Sequence, residues 1–457
     1  MRLSRGTLAQ LPFEAVRPGY AHAEQAVGIV HFGIGAFHRA HQAWYVDRAM
    51  AAGDRNWSIL GVSLRSDDVA SQLNPQDGLY TVTERSEQPS QTRVIGAVRG
   101  VCGPAQGAKP VVHRLASADT RIVSFTVTEK GYCRLPDGGL DFERAGGPGA
   151  FYGMLAAGLK ARRDARLPGL TLLSCDNLAH NGRILHGMLM AYLERYDAQL
   201  SRWVERECAF PSTMVDRIVP ATTVDDLTLV AARLGLEDRG AVLTEPFSQW
   251  VIEDRFAGPR PRLEQVGAEL VTDVEPYETA KLRMLNGAHS ALAYLGLERG
   301  HSFVHEAVAD PVLRGLVEQL MRIEAAGSFA PAPGQDLATY ADRLLARFAN
   351  PALRHKLAQI AMDGSQKIPQ RWLATLSTQR SRGQDCPAIL AAAGAWLRRL
   401  RNPDAPLDDP MATALRAAAT GVDWAVAAMR VFGPGGLVAS DWTPSAAEIA
   451  QMQDRPA

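Results

Sequence analysis

A lysine, an asparagine and a histidine stand at positions 281, 286 and 289 of one short segment, residues 281–289, KLRMLNGAH. A lysine desolvated in a cleft can have its pKa lowered enough to take the hydroxyl proton of a secondary alcohol while hydride leaves the same carbon. An asparagine amide can donate to the alkoxide or carbonyl oxygen that develops, and a histidine can position a neighbouring hydroxyl. At about 100° per residue, Asn286 and His289 share one helix face and Lys281 projects roughly 80° from His289, so its long stem can carry the amine to the same cavity. A bland reading also fits. Lys281 and Arg283 could be solvated helix residues, Asn286 a local cap and His289 a satisfied core histidine.

Hydride chemistry needs an acceptor, and the other end of the chain offers a place for one. Residues 27–32, VGIVHF, lead into Gly33-Ile34-Gly35-Ala36-Phe37-His38: an apolar strand, a tight glycine turn and a helix start. Gly33 permits the turn, and Gly35 lets backbone N–H groups approach a pyrophosphate at the positive end of the helix. The expected dinucleotide contacts are Gly33, Gly35, Ala36 and Phe37. The usual third glycine is absent, with His38 in its place, and a plain structural turn is the competing reading. A ribose-binding acid is expected at the end of the second strand, which makes Asp67 the candidate. Arg65, two residues earlier, could instead meet a 2′-phosphate, so NADP stays open beside NAD.

The elements that must hold these residues follow from the apolar pattern. Four runs, 27–32, 57–64, 121–125 and 170–174, alternate with amphipathic stretches, as in β-α units around a parallel sheet. They end in residues with something to offer a ligand: Gly33 to Gly35, Arg65 to Asp67, Thr126 to Glu129 including Thr128, and Cys175-Asp176-Asn177. Ligands bind beyond the carboxyl ends of such strands. Glu129 could line that crevice or sit in a solvated loop. From about residue 275 onward, alanine- and leucine-rich stretches with helical spacing replace the strand runs (280–297, 337–349 and 388–401). Two domains are expected, an α/β domain over 1–275 and a mainly helical one over 276–457, with the seam near 274–277. Trp250 and Phe247 are expected to pack between them, and Glu253 and Asp254 to tie down a loop.

Bulk properties remove other classes. The 457 residues carry 49 basic and 49 acidic side chains, so no net field recruits nucleic acid or an anionic membrane. No apolar run near the start is long enough for a signal-peptide core or a membrane helix, and a cytoplasmic protein is expected. The five cysteines are scattered without a C-x-x-C pair, suggesting neither disulfides nor a thiolate zinc site. His38, His41, His180 and His289 lack metal-ligand spacing, so no metal is expected. Oligomeric state is not legible.

The segments 33–41 (GIGAFHRAH), 74–80 (NPQDGLY), 128–132 (TEKGY), 174–182 (SCDNLAHNG), 214–220 (MVDRIVP), 245–254 (EPFSQWVIED) and 281–289 (KLRMLNGAH) together resemble the mannitol dehydrogenase family. These are polyol-specific long-chain dehydrogenases that include mannitol 2-dehydrogenases and fructuronate reductases, and the resemblance covers residues 29–371. It implies a Rossmann-type N-terminal domain, a mainly α-helical C-terminal domain and no catalytic metal. It implies Lys281 as general acid/base, Asn177 and Asn286 as an oxyanion-stabilising pair, and His289 holding a polyol or sugar-acid substrate. The segment 361–371, AMDGSQKIPQR, is more similar to fructuronate reductases, which makes Lys367 and Arg371 candidates to hold a sugar carboxylate. Two other functions remain in view: an oxidative decarboxylase of sugar acids, and a dinucleotide-binding protein without chemistry.

Overall fold

The computed structural model describes residues 1–86 and 91–456, which divide into two compact units, Met1–Val274 and Glu275–Ala457. The strands of the first unit, in chain order, are β1 Val27–Phe32, β2 Ser58–Val62, β3 Tyr80–Glu84, β4 Thr92–Ile95, β5 Val98–Cys102, β6 Ile122–Phe125, β7 Thr171–Ser174, β8 Thr213–Asp216, β9 Val242–Thr244, β10 Gln249–Glu253 and β11 Glu269–Val271.

Five of these form a parallel sheet in the order β5-β2-β1-β6-β7. All four expected runs lie in it: β1 spans its run entire, and the other three are trimmed to the residues that keep register. Every residue of β1 is buried, as expected of a strand covered by helices on both faces. Phe32 sits opposite Val62 on one side and Phe125 on the other, and Phe125 opposite Ser174. The carboxyl ends of β1, β2, β6 and β7 are therefore level, and the chain turns away from β1 in both directions. That reversal is the crevice where α/β sheets bind ligands. The sequence reading missed β5, whose VRGVC pattern breaks the apolar run with Arg99 and Gly100. It also missed two three-stranded sheets, β4-β3-β9 and β11-β10-β8.

Trp250 is a correction. Instead of packing between domains, it is buried in the first unit's own core with Tyr45 and Ile252, its ring 5.7 Å from His41 and 5.4 Å from Tyr45. Glu253 and Asp254 do pin their loop: Glu253 accepts from the Ser212 N–H at 2.9 Å, and Asp254 pairs with Arg260 at 3.3 Å.

The second unit is helical. Its axis is Gly287–Glu298, where the ten residues 287–296 are all buried, the pattern of a helix enclosed by neighbours. The helix Pro387–Arg401 buries Trp396 and Leu397 in the same core, with Trp372, Phe432 and Trp442. Among the described residues no helix is long and apolar enough to cross a membrane.

Candidate active site

In the first unit, Gly33 follows β1 with φ +94°. Its N–H donates to the Val62 carbonyl at 2.9 Å, and its own carbonyl accepts from Thr126 Oγ1 at 2.7 Å. A Cβ at this position would lie 2.1 Å from the Thr126 carbonyl oxygen, so the turn admits only glycine. Gly35 is different. It is extended and exposed, begins the helix Ala36–Ala40, and a Cβ there would meet nothing closer than 3.9 Å. The fold does not need a glycine there for its own packing, and the missing side chain leaves room at the head of the helix, while the Gly35 N–H itself donates to the Gly33 carbonyl at 2.6 Å. Ala36 and Phe37 follow, half-buried, with Phe37 stacked 5.1 Å from His41.

His38 takes the third-glycine position by a different device. Its ring lies 3.4 Å from that of His31 in β1, nearly parallel at 14°. His31 in turn meets Ser124 Oγ at 2.8 Å and Thr126 Oγ1 at 2.9 Å. Burial holds both imidazoles well below the usual histidine range, so the pair packs as neutral rings beneath the turn.

At the ends of β6 and β7 a buried carboxylate organises the next pieces of chain. Asp176, 6% exposed, accepts from the N–H of Val127 at 3.1 Å and of Thr128 at 2.7 Å, and from the Tyr132 hydroxyl at 2.8 Å. Burial pushes its carboxyl up, and these three donors pull it back. The bonds hold exposed Thr128 in a left-handed conformation, φ +63°, which costs a non-glycine residue about 1–3 kcal/mol. Asn177 is the next residue and is exposed at the strand tip. Asn181 braces that tip from below, donating to the carbonyls of Asp176 at 2.9 Å and Thr213 at 2.8 Å. The sequence offered Asp176 as a ligand-facing strand end, whereas its carboxylate is taken up by backbone N–H groups and Tyr132; Asn181 was given no role, and its place in the same segment as Asn177 was the available signal. Glu129 is exposed.

Asp67 lies just beyond β2. Its carboxylate accepts from the Ala105 N–H at 3.3 Å and comes so near Gly103 that a Cβ there would sit 1.9 Å from Oδ1. Arg65 is exposed. Beside them a cavity of about 420 Å³ opens at the ends of β2 and β5, lined by Ser63, Leu64, Gly103, Val111, Gly149 and Tyr192 among others. That volume suits a small organic group; the sequence pointed to a crevice beyond the strand ends, but its β5 wall was not legible.

In the second unit the segment 281–289 corrects the straight-helix expectation. Glu275–Ala280 is α-helical, Lys281–Asn286 is a π-helical turn, and the α-helix resumes at Gly287. A π-turn closes i→i+5 bonds and so rotates less per residue than an α-helix, which changes the angle between Lys281 and His289. Lys281 is 9% exposed, unusual for a lysine. His289, 8% exposed, packs its ring 4.6 Å from Phe348 and 5.4 Å from His355. Burial first, then the charges of His355, Arg347 and Arg371, hold it well below the usual range, hence neutral.

A second π-turn, Pro369–Leu373, meets this one. Arg371 Nη1 donates to the Asn286 carbonyl at 3.3 Å and to Ser290 Oγ at 2.7 Å, and Trp372 Nε1 donates to the Gly287 carbonyl at 3.1 Å. Burial lowers the Arg371 guanidinium to about 10. Lys367 donates to the Met362 carbonyl at 2.7 Å, with Asp363 3.8 Å away; burial, then the Arg371 charge, lowers its pKa. The expected substrate residues Lys281, Asn286, His289, Lys367 and Arg371 thus lie in two segments, and Arg371 bonds one to the other. Among the described residues no three His, Cys, Asp or Glu side chains gather as a metal would require.

A parallel sheet with this strand order and glycine turn, followed by a helical unit with a buried lysine, is the architecture of a two-domain dehydrogenase. Comparison with known proteins makes it specific. Residues 27–265 match the model of the mannitol dehydrogenase Rossmann domain, and residues 273–434 that of the mannitol dehydrogenase C-terminal domain. The chain is 38% identical to the D-mannonate oxidoreductase of Escherichia coli (strain K12) over 87% of its own length and 85% of that protein's. It is 37% identical to a mannitol 2-dehydrogenase of Phaeosphaeria nodorum, covering 92% of this chain and 77% of the relative. Among solved structures, the mannitol 2-dehydrogenase of Pseudomonas fluorescens in ternary complex with NAD and D-mannitol superposes with a TM-score of 0.83 at 34% identity, covering 99% of this chain and 96% of the other. The chain belongs to the mannitol dehydrogenase family, and it is an oxidoreductase.

Proposed function

We propose that the protein interconverts a secondary alcohol of a polyol or sugar acid and the corresponding ketone, D-mannitol or D-mannonate and D-fructose or D-fructuronate, with NAD. The burial of Lys281 on the π-turn that ends at Asn286 and runs on into the helix of neutral His289 carries this reading. Bound NAD supplies the hydride acceptor. Lys281 Nζ takes the hydroxyl proton as the carbon–hydrogen pair leaves and the carbonyl forms, and returns it in reduction. The amides of Asn177 and Asn286 donate to the oxygen on which charge develops. His289, held neutral, keeps a ring nitrogen available to accept from a substrate hydroxyl. Lys367 is the candidate for a sugar carboxylate, because the segment that bears it also joins the Lys281 turn through Arg371.

The cofactor fits what the first unit offers. Gly33 makes the tight turn and Gly35 leaves open space at the head of the sheet, with Ala36, Phe37 and Thr128 the further candidate contacts. Asp67, near the cavity at β2 and β5, is our candidate for the ribose contact, and an acid in that role favours NAD over NADP. The scattered free thiols suit a reducing cytoplasm.

The test is a panel of fructose, fructuronate and tagaturonate with NADH and NADPH, run on wild type and Lys281→Ala. Loss of a general acid/base is expected to cost roughly 10²–10⁴-fold in turnover, with NADH binding retained. Joint loss of NADH binding and turnover would make the lysine structural and refute its role.

A further inference from the structure

The hydrogen-bond ladder of the Lys281 segment changes step between Asn286, the last residue of the π-turn, and Gly287, the first of the resumed α-helix. Both carbonyls at that step take a side-chain donor from the π-turn Pro369–Leu373: Asn286 from Arg371 Nη1 at 3.3 Å, Gly287 from Trp372 Nε1 at 3.1 Å. The same Arg371 nitrogen is anchored one turn further on, at 2.7 Å, by the hydroxyl of Ser290, itself 2% exposed. A guanidinium with two fixed acceptors on one helix is a strut. Its contacts set the backbone orientation of Asn286, and the backbone sets where the Asn286 amide points.

We infer that Arg371 is a positioning residue, which acts on the reaction through the backbone of Asn286 rather than by holding the substrate's carboxylate. The inference rests on the reading above that Asn286 stabilises the reacting oxygen. It separates the roles of the two basic residues of 361–371: Lys367 is left for the substrate, and Arg371 joins the π-turns. An amide displaced by a fraction of an ångström still binds ground-state substrate but meets the developing charge poorly. The cost therefore falls on turnover rather than on substrate binding.

The experiment uses the full chain and Arg371→Lys, Arg371→Ala and Ser290→Ala, assayed with NADH on whichever ketoses the wild type reduces. The expected result for Arg371→Lys is a fall in kcat on the order of 10–10²-fold with KM little changed, the same factor on a neutral ketose and a keto-uronate where both react. Added guanidinium ion is expected to restore part of the Arg371→Ala turnover, which a merely structural loss would not allow. Ser290→Ala removes only the strut's far anchor and is expected to lower kcat less. Its effect should vanish in the Arg371→Ala background, as for residues acting in one chain of contacts. A rise in KM confined to the keto-uronate would overturn the inference in favour of direct carboxylate binding, and so would unaltered kcat in both Arg371→Lys and Ser290→Ala. A wild type inert on every ketose with either nicotinamide would instead bring down the parent reading, and this one with it.

Discussion

Replacing Asp176 by asparagine changes one atom and sets two of the molecule's donors against each other. Asp176 Oδ1 serves the Thr128 N–H, and Oδ2 serves the Val127 N–H and the Tyr132 hydroxyl. An asparagine has a single acceptor oxygen, so in either orientation its NH2 faces one of the two backbone N–H groups. A hydrogen bond to a charged group is worth about 1.5–3 kcal/mol. Asparagine also relieves the burial that raises this carboxyl, so the net loss of global stability is expected to be smaller, about 1–2 kcal/mol. The local effect is not offset in the same way. Thr128 is held at φ +63° by that bond, and without it the turn opens for part of the time. If Thr128 borders the cofactor, reclosing it weakens NADH binding by up to about 30-fold, at roughly 1.4 kcal/mol per factor of ten. Urea unfolding and a fluorescence titration with NADH measure the two quantities separately. A lowered unfolding midpoint with unchanged NADH affinity would remove Thr128 from the cofactor site. No change in either would refute the account of Asp176 as the organiser of these strand ends.

Gly33→Ala puts a methyl group where the Thr126 carbonyl oxygen lies 2.1 Å away, on a backbone at φ +94°; thermal unfolding should show a loss of at least about 2 kcal/mol, and NADH titration should show little binding. Glu324 is fully buried, accepts from the N–H groups of Ala388 and Ile389 at 2.8 and 2.9 Å, and burial raises it from 4.5 to about 7. A carboxyl raised in the folded state contributes stability that is fully present below its unfolded pKa and lost as pH rises through the folded one. The stability of wild type relative to Glu324→Gln should therefore fall by about 2–3 kcal/mol between pH 4.5 and pH 8; parallel curves for the two proteins would contradict it.

The strands that carry ligand-facing ends were legible because a parallel strand buried on both faces reads as an unbroken apolar run: β1 appeared residue for residue. β5 did not, because Arg99 and Gly100 interrupt an edge strand that is only partly covered. The absence of a third glycine was visible at His38, but its replacement by a ring stacked on His31 was not, because the two residues meet only when the helix folds back on β1. Likewise Trp250 carries no mark of which core it enters.

The chain's local chemistry is therefore its own. Glycine at 33, the lysine, asparagine and histidine of 281–289 and the change from strand to helix patterning all follow from steric freedom and side-chain type, which a residue keeps wherever it is put. Tertiary structure decided the π-turn at Lys281, the strut from Arg371 to a carbonyl 85 residues away, and the three donors gathered on Asp176 from 44 to 49 residues away. The reason is that an i→i+5 turn and a buried carboxylate are both costly in isolation. They persist only where distant segments arrive to satisfy them, and which segments arrive is set by packing the whole core rather than by any local pattern.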